Sequence, residues 1–384
     1  MDKNTPTINV KIAGNTKIAT DSGDKLETRG GSGILSVTVD LRLDNPDMFS
    51  VEYDMMKLES LNLIDSFKPG DTVEISLGLT EESVLCEGEI AYIEPSFDVD
   101  AGYRTTISGY HKLHRLTRGQ RSRVWGDGLA AETAPTTAVQ QVLNESKASV
   151  GGASDSISAG EVTAAQVKLN YIPQLNMSDF EFLRAIGANL EYKADRKDGQ
   201  AVKFTKPNPK SEAVAKLSRD RADPSAGEDS LILSANFRLS TVQQYAAVEV
   251  RGWDPIKKKA IVEKVTSSTY VFDESVKGHQ DTGKGLYNSA SAGRKYTVVD
   301  QPVESAAEAK QIAQALFDQF SMDFLTGEAV IKGDPKLIPG ATVEFVGFGK
   351  AFSGKYLITS ATHSYRPEEG YRTAIAYARN AKGA

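Results

Sequence analysis

The sequence predicts an α+β chain that is mainly β and carries the same β-structural unit twice, once near each end, with helical sequence between. Three observations predict it. Apolar and polar residues alternate with period two in both outer parts of the chain, capping boxes open helical stretches at Ser178 and Ser305, and three short matches between the two ends keep their order and nearly their spacing.

In the first region Leu35, Val37, Val39, Leu41 and Leu43 alternate with Ser36, Thr38, Asp40 and Arg42, the pattern of a half-buried strand, until Asp44, Asn45 and Pro46 break it. Pro69-Gly70 suits the centre of a tight turn, and Val73, Ile75, Leu77 and Leu79 resume the alternation. Gly88 to Ile93 and Tyr103 to Ser108 supply two more strands, and this β domain ends near Leu116. From about Thr133 to Val150 the sequence reads as a helix, with Thr137 as cap and Val139, Val142 and Leu143 as its inner face. Gly151 to Gly160 is a Gly, Ala and Ser-rich connection.

The next helix has a sharper start: Ser178 and Glu181 form a capping box, and Met177 with Phe182 a hydrophobic staple. Its inner face is Phe180, Leu183, Ile186 and Leu190. Lys206 to Asp229 reads as an exposed loop, Leu231 to Trp253 as strand, and Ile256 to about Asp300 as a long polar insertion with few apolar anchors. Ser305 with Glu308 caps a third helix, whose face is Ile312, Ala313, Leu316, Phe317, Phe320 and Phe324, with Gly327 as its terminator. Strands fill the remainder.

Length and composition bound the function. A chain of 384 residues is long enough for two or three domains, and its net charge of −6 argues against a whole-protein nucleic-acid binder or membrane-surface protein. The one cysteine, Cys86, excludes an intramolecular disulfide framework and a cysteine-rich zinc cluster. The start, MDKNTPTINV, lacks the basic end and apolar run of a secretory signal, and no apolar stretch approaches a membrane span, so the expectation is assembly in a cytoplasm without membrane insertion.

The repeat is read residue by residue. Pro69-Gly70-Asp71-Thr72-Val73-Glu74-Ile75 matches Pro339-Gly340-Ala341-Thr342-Val343-Glu344-Phe345, and Gly102-Tyr103-Arg104-Thr105-Thr106-Ile107-Ser108 matches Gly370-Tyr371-Arg372-Thr373-Ala374-Ile375-Ala376. Between them Gly88 to Ile93 is set opposite Gly354 to Thr359. Pro69, Gly70, Pro339 and Gly340 shape the turns, and Val73 and Val343 fill the core. A duplicated β unit has a geometric use. A trimer of such chains presents six similar units in a ring, joining a sixfold body to a threefold one.

The segments Gly109-Tyr110-His111-Lys112-Leu113-His114-Arg115-Leu116 with the basic tail Thr117 to Arg123, Asn176 to Arg184, and Ile338-Pro339-Gly340 through Gly354-Lys355-Tyr356 resemble the tail-hub proteins of contractile injection machines. These are the phage late-control protein D family and the N-terminal hub half of VgrG spike proteins. The resemblance implies two similar barrel-like tube domains with a helical insert. The first barrel covers 1–118, the helical insert and linkers 119–230, the second barrel with its helix 231–256 plus 301–384, and the polar insertion 257–300. It also implies a homotrimer in the baseplate of a virion or injection particle, set between a hexameric tail tube protein and a trimeric spike, with other baseplate proteins and a tape-measure protein as further neighbours. VgrG proteins continue into a needle, whereas this chain stops soon after Tyr377, so a separate spike protein is expected.

No catalytic, cofactor or metal residues are assigned. Gly278 to Gly285 has the glycine spacing and lysine of a phosphate loop, but Gly285 stands where a hydroxyl must bind magnesium, and a polar loop is the better account. His111 and His114 lack companions for a metal shell. Arg115, Arg118, Arg121 and Arg123 lie in a basic run with no acidic residue between Tyr103 and Gly126. They are candidate contacts to an acidic partner or to a lumen. No Gly-x-Ser-x-Gly elbow is present, so the expectation is a structural protein and not an enzyme. The alternatives are a cell-wall hydrolase associated with such a machine and a β-rich nucleic-acid or polysaccharide binder.

Overall fold

The computed structural model describes residues 6–12, 16–20, 33–43, 45–56, 67–79, 82–100, 102–126, 132–149, 158–190, 193–197, 201–220, 232–254, 257–272 and 294–382. In chain order the strands are β1 (Thr7–Ile12), β2 (Thr16–Thr20), β3 (Ile34–Arg42), β4 (Met48–Asp54), β5 (Thr72–Gly78), β6 (Glu82–Asp98), β7 (Gly102–His111), β8 (Arg121–Trp125), β9 (Ser158–Val162), β10 (Ile172–Met177), β11 (Lys193–Lys197), β12 (Ala201–Thr205), β13 (Ala213–Ser218), β14 (Ile232–Leu239), β15 (Ala247–Asp254), β16 (Lys259–Val265), β17 (Lys295–Val298), β18 (Leu325–Lys332), β19 (Thr342–Val346), β20 (Gly354–Arg366) and β21 (Gly370–Arg379). The helices are α1 (Pro135–Ser149), α2 (Asp179–Leu190) and α3 (Ala306–Met322). The fold is mainly β with a helical insert, as the alternation and the capping boxes predict.

Thirteen strands share one sheet, in the order β14-β18-β21-β20-β3-β4-β7-β6-β5-β1-β2, with β19 joined to β20 and β13 to β19. Among the described residues this sheet is an open path and closes into no ring. Val37, Val39, Leu41, Val73 and Ile75 from the first half and Val343, Phe345, Ile358 and Ala361 from the second lie in one continuous core. Burying each such aliphatic side chain contributes roughly 1.5–3 kcal/mol, which is what holds the alternating strands to one register.

The two halves have the same six-strand order, β3-β4-β7-β6-β5-β1 and β14-β18-β21-β20-β19-β13. Their local bonds coincide as well. The Gly70 N–H donates to the Ile90 carbonyl at 2.8 Å and the Gly340 N–H to the Ile358 carbonyl at 2.9 Å, while Ile90 and Ile358 donate back to Asp71 and Ala341. Both turn glycines have positive φ, 95° and 84°, which an L side chain resists. Bulges recur in register: Ile90/Tyr92 on β6 and Ile358/Ser360 on β20, Ile34/Ser36 on β3 and Ile232/Ser234 on β14. One strand differs, because β1 runs antiparallel to β5 and β13 parallel to β19.

This register corrects the middle sequence match. Thr72 faces Glu89 and Thr342 faces Leu357, so Gly88 is equivalent to Tyr356 and not to Gly354. A two-residue slip keeps every side chain on its own face, so the alternation alone does not expose it. The reason the true partners look unlike is an exchange of volume. In the first half Phe49 covers Gly88 and Gly109, where a Cβ would come within 2.8 Å of its ring. In the second half those glycines are replaced by Tyr356 and Tyr377, and the position of Phe49 is Gly327, where a Cβ would meet the Tyr377 ring at 2.6 Å. The same space is filled from opposite strands.

Gly327 therefore sits within β18 and does not end α3, which stops at Met322 with Asp323 as its cap. The two helix starts marked by capping boxes stand where the sequence puts them. Ser178 and Glu181 exchange bonds of 2.7 and 3.2 Å, and the Glu308 N–H donates to Ser305 Oγ at 3.1 Å. α1 begins at Pro135, ahead of Thr137, since proline's fixed φ and missing N–H suit a first turn. Within the segment read as an exposed loop, Ala213–Ser218 forms β13 against β19 and buries Leu217. Its short run offered too little alternation to announce a strand.

α1 and α2 pack with β8, β10 and β12 around Val139, Val142, Leu143, Phe182 and Phe204. A smaller sheet, β16-β15-β17, buries Val248, Val250, Ile261 and Val298 against Ile312, Ala313 and Phe317 of α3.

Candidate assembly interface

The halves are joined edge to edge inside the chain. Beyond its bulge, β20 leaves β19 and pairs with β3, Ser360 to Tyr365 lying opposite Arg42 to Val37. This junction buries Ala361 and His363 completely, together with Val37, Val39 and Leu41. Thr362 Oγ1 donates to Asp40 Oδ1 at 3.0 Å across it.

The equivalents of those two strands are β6 and β14, and neither uses the corresponding edge. β6 leaves β5 after Glu89 and continues along β7 to Asp98, and among the described residues nothing pairs with its other edge from Tyr92 to Asp98. Among the described residues β14 pairs only with β18 and ends the sheet. Ile93 and Pro95, which match buried Ala361 and His363, are half-buried and exposed; Phe97 is 68% exposed. On β14, Ala235 and Phe237 are half-buried where Val37 and Val39 are fully covered. Unpaired N–H and C=O groups flanked by exposed apolar side chains make both edges competent for strand addition.

The four candidate arginines have carboxylates within the chain. Arg115, with a side chain 7% exposed, bonds Glu89, and Arg118 reaches the same carboxylate at 3.0 Å. Arg123 bonds Asp179 and Glu145, and Arg121 lies 3.6 Å from Glu145 and 3.7 Å from Asp179. The pairs tie β6 to the 3₁₀ turn at Lys112–Thr117 and β8 to α1 and α2. The basic run hid this, because the carboxylates bonded to Arg115, Arg118 and Arg123 lie 22 to 56 residues away. The side chains of Arg118 and Arg121 remain partly exposed to solvent.

The histidines have structural partners. His111 Nδ1 accepts from the Leu113 N–H at 3.2 Å, and His114 stacks on Tyr110 with its pKa lowered by burial and by Arg118. His363 lies 3.2 Å from the Leu337 carbonyl through Nε2 and 2.8 Å from the Tyr371 hydroxyl through Nδ1. A carbonyl only accepts, so Nε2 carries a proton. Among the described residues no group of three or more His, Cys, Asp or Glu is arranged to hold a metal. The Gly278–Gly285 segment lies outside the described residues. An open cleft of about 840 Å³, lined by Glu87, Glu161, Glu212, Lys203, Lys206 and the Pro339-Gly340 turn, runs where the insert meets both halves.

The architecture is shared with phage tail proteins. A tail protein from Neisseria meningitidis MC58 superposes with a TM-score of 0.67 at 12% identity, over 98% of this chain and 97% of that one. The 43 kDa tail protein of prophage MuSo2 from Shewanella oneidensis gives 0.65 at 15% identity, over 98% and 99%. An E. coli component of the type VI secretion system, described as structurally similar to the bacteriophage T4 tail proteins gp27 and gp5, gives 0.53 at 11% identity, over 96% and 76%. The fold is thus the one these tail and secretion-system proteins share. The chain belongs to the family described as the Alg8 N-terminal domain, which matches residues 54–366. No curated relative matches the sequence.

Proposed function

We propose that the chain is a structural hub of a contractile injection machine, a homotrimer that adapts a hexameric tail tube to a trimeric spike. The observation that carries this reading is the pair of unused edges. Among the described residues the internal junction β20–β3 has an unpaired counterpart, β6 at one side and β14 at the other. Laying β6 of one protomer along β14 of the next repeats the internal junction and covers both edges. Such a contact is heterologous, and it forms a closed ring when the rotation between units divides the circle. Three chains with two units each give six similar units, and the β6 and β14 edges of each chain are covered within one closed ring of strands.

In this reading each tube-like half contributes one sixth of a surface that a hexameric ring matches, while the segments that break the repeat follow threefold symmetry. Those segments are the insert built on α1 and α2 and the sheet carried by α3, and they are suited to contact a trimeric spike and other baseplate proteins. Assembly takes place in the bacterial cytoplasm before the particle is complete. The role is structural and not catalytic. Sedimentation or mass measurement tests it. The expected species has three times the 41.5 kDa chain mass, alone or with spike or tube protein present. A monomer that binds neither overturns the proposal, and release of fragments from peptidoglycan by the pure protein overturns its non-catalytic part.

A further inference from the structure

Resting on the ring just described, we infer that Glu94 of one protomer forms an ion pair with Arg238 of the partner subunit, and that this pair determines which sheet edges meet. Transferring the internal register to the open edges sets Ile93 opposite Leu239 of the partner subunit, Glu94 opposite Arg238 of the partner subunit, and Phe97 opposite Ala235 of the partner subunit. Residues directly opposite in an antiparallel ladder project to the same face, so the two charged side chains meet. Both are exposed, and among the described residues neither has an ion-pair partner. Phe97, largely exposed in the single chain, covers the small Ala235.

The internal junction carries different chemistry at the same place. Glu94 occupies the position of Thr362, and Arg238 that of Asp40, where a hydroxyl-to-carboxylate bond stands. The two junctions are therefore not interchangeable. A neighbour's β6 that competed for β3 would set Glu94 against Asp40, two like charges. A neighbour's β14 that competed for β20 would set Arg238 against Thr362 and leave the guanidinium without a carboxylate. Both wrong exchanges lose what the right ones gain, so the pair discriminates by repulsion as well as attraction. Pro95, beside Glu94, contributes no N–H to the ladder, which leaves more of the register to side chains.

The test uses the full chain and its Glu94→Arg, Arg238→Glu and doubly reversed variants, with far-ultraviolet circular dichroism and thermal melting to establish that each is folded. Each single reversal is expected to weaken trimer formation on the order of a hundredfold, and the double reversal to restore most of it. Mixing Glu94→Cys protein with Arg238→Cys protein is expected to give an intermolecular disulfide on oxidation, since opposed Cβ atoms lie within reach. Wild-type trimers whose variants assemble equally well, or single losses that the double reversal leaves unrepaired with no disulfide formed, overturn the pair and leave the ring standing. A wild-type chain that stays monomeric, with the cysteine mixture unlinked, overturns both.

Discussion

Thr362 donates its hydroxyl to the Asp40 carboxylate at 3.0 Å, joining residues 322 positions apart and holding the last long hairpin of the chain against the third strand. Asp40 is also paired with Arg42 at 3.0 Å. Replacing Thr362 with Val removes the bond while Asp40 keeps its arginine, so a loss of about 1 kcal/mol is expected in urea unfolding.

The two turn glycines are equivalent, and their substitutions are expected to be equivalent too. Among the described residues an added Cβ at Gly70 meets nothing within 4 Å, and one at Gly340 meets Leu43 at 3.4 Å, so the cost comes from positive φ and not from collision. Gly70→Ala and Gly340→Ala should each destabilise by about 1–2 kcal/mol. Gly327→Ala acts by another route, since its Cβ would strike the Tyr377 ring and the Asn236 carbonyl; about 3 kcal/mol is expected. Thermal denaturation of the three variants separates the two mechanisms.

Glu89 neutralises Arg115 in the interior while also reaching Arg118. Glu89→Gln replaces a charge-assisted bond to the buried guanidinium by a neutral one and is expected to cost about 1.5–3 kcal/mol, the usual worth of a hydrogen bond to a charged group. Chemical denaturation measures it, and equal stability of the variant would show that the pair adds nothing.

Asp318 is fully buried. Burial pushes its carboxyl up, yet Lys206 at 2.8 Å, Ser268 and Thr269 together hold it below the usual 3.8. A carboxyl whose folded pKa is depressed contributes stability above its unfolded pKa and loses it as pH falls through the folded value. The melting temperature should therefore fall as the pH drops below 3.8, and Asp318→Asn should be less stable at neutral pH and show a shallower acid slope. An unchanged slope in the variant would assign the acid sensitivity to other carboxyls.

Features governed by neighbours in sequence were legible. The Ser178 box is a matter of four residues, and the Pro-Gly turns of two, so their bonds follow from local chemistry. The four arginines were legible as a charged run but not as internal partners, because Glu89, Glu145 and Asp179 reach them only after the sheet and the insert are folded together. β13 and the end of α3 were misread for a related reason: Leu217 and Gly327 owe their places to β19 and Tyr377, far along the chain.

By itself the sequence determined that a β unit occurs twice, since alternation, turn glycines and their spacing are recorded in residue order. Only the tertiary structure decided how the copies correspond and what they leave unfinished. Phe49 over two glycines and Tyr377 over Gly327 fill one shape from opposite strands, and packing recognises volume in space, not the residue that supplies it. In the same way, β3 and β20 satisfy each other while their twins β14 and β6 do not, because a strand's edge is complete or open only once its neighbours are in place.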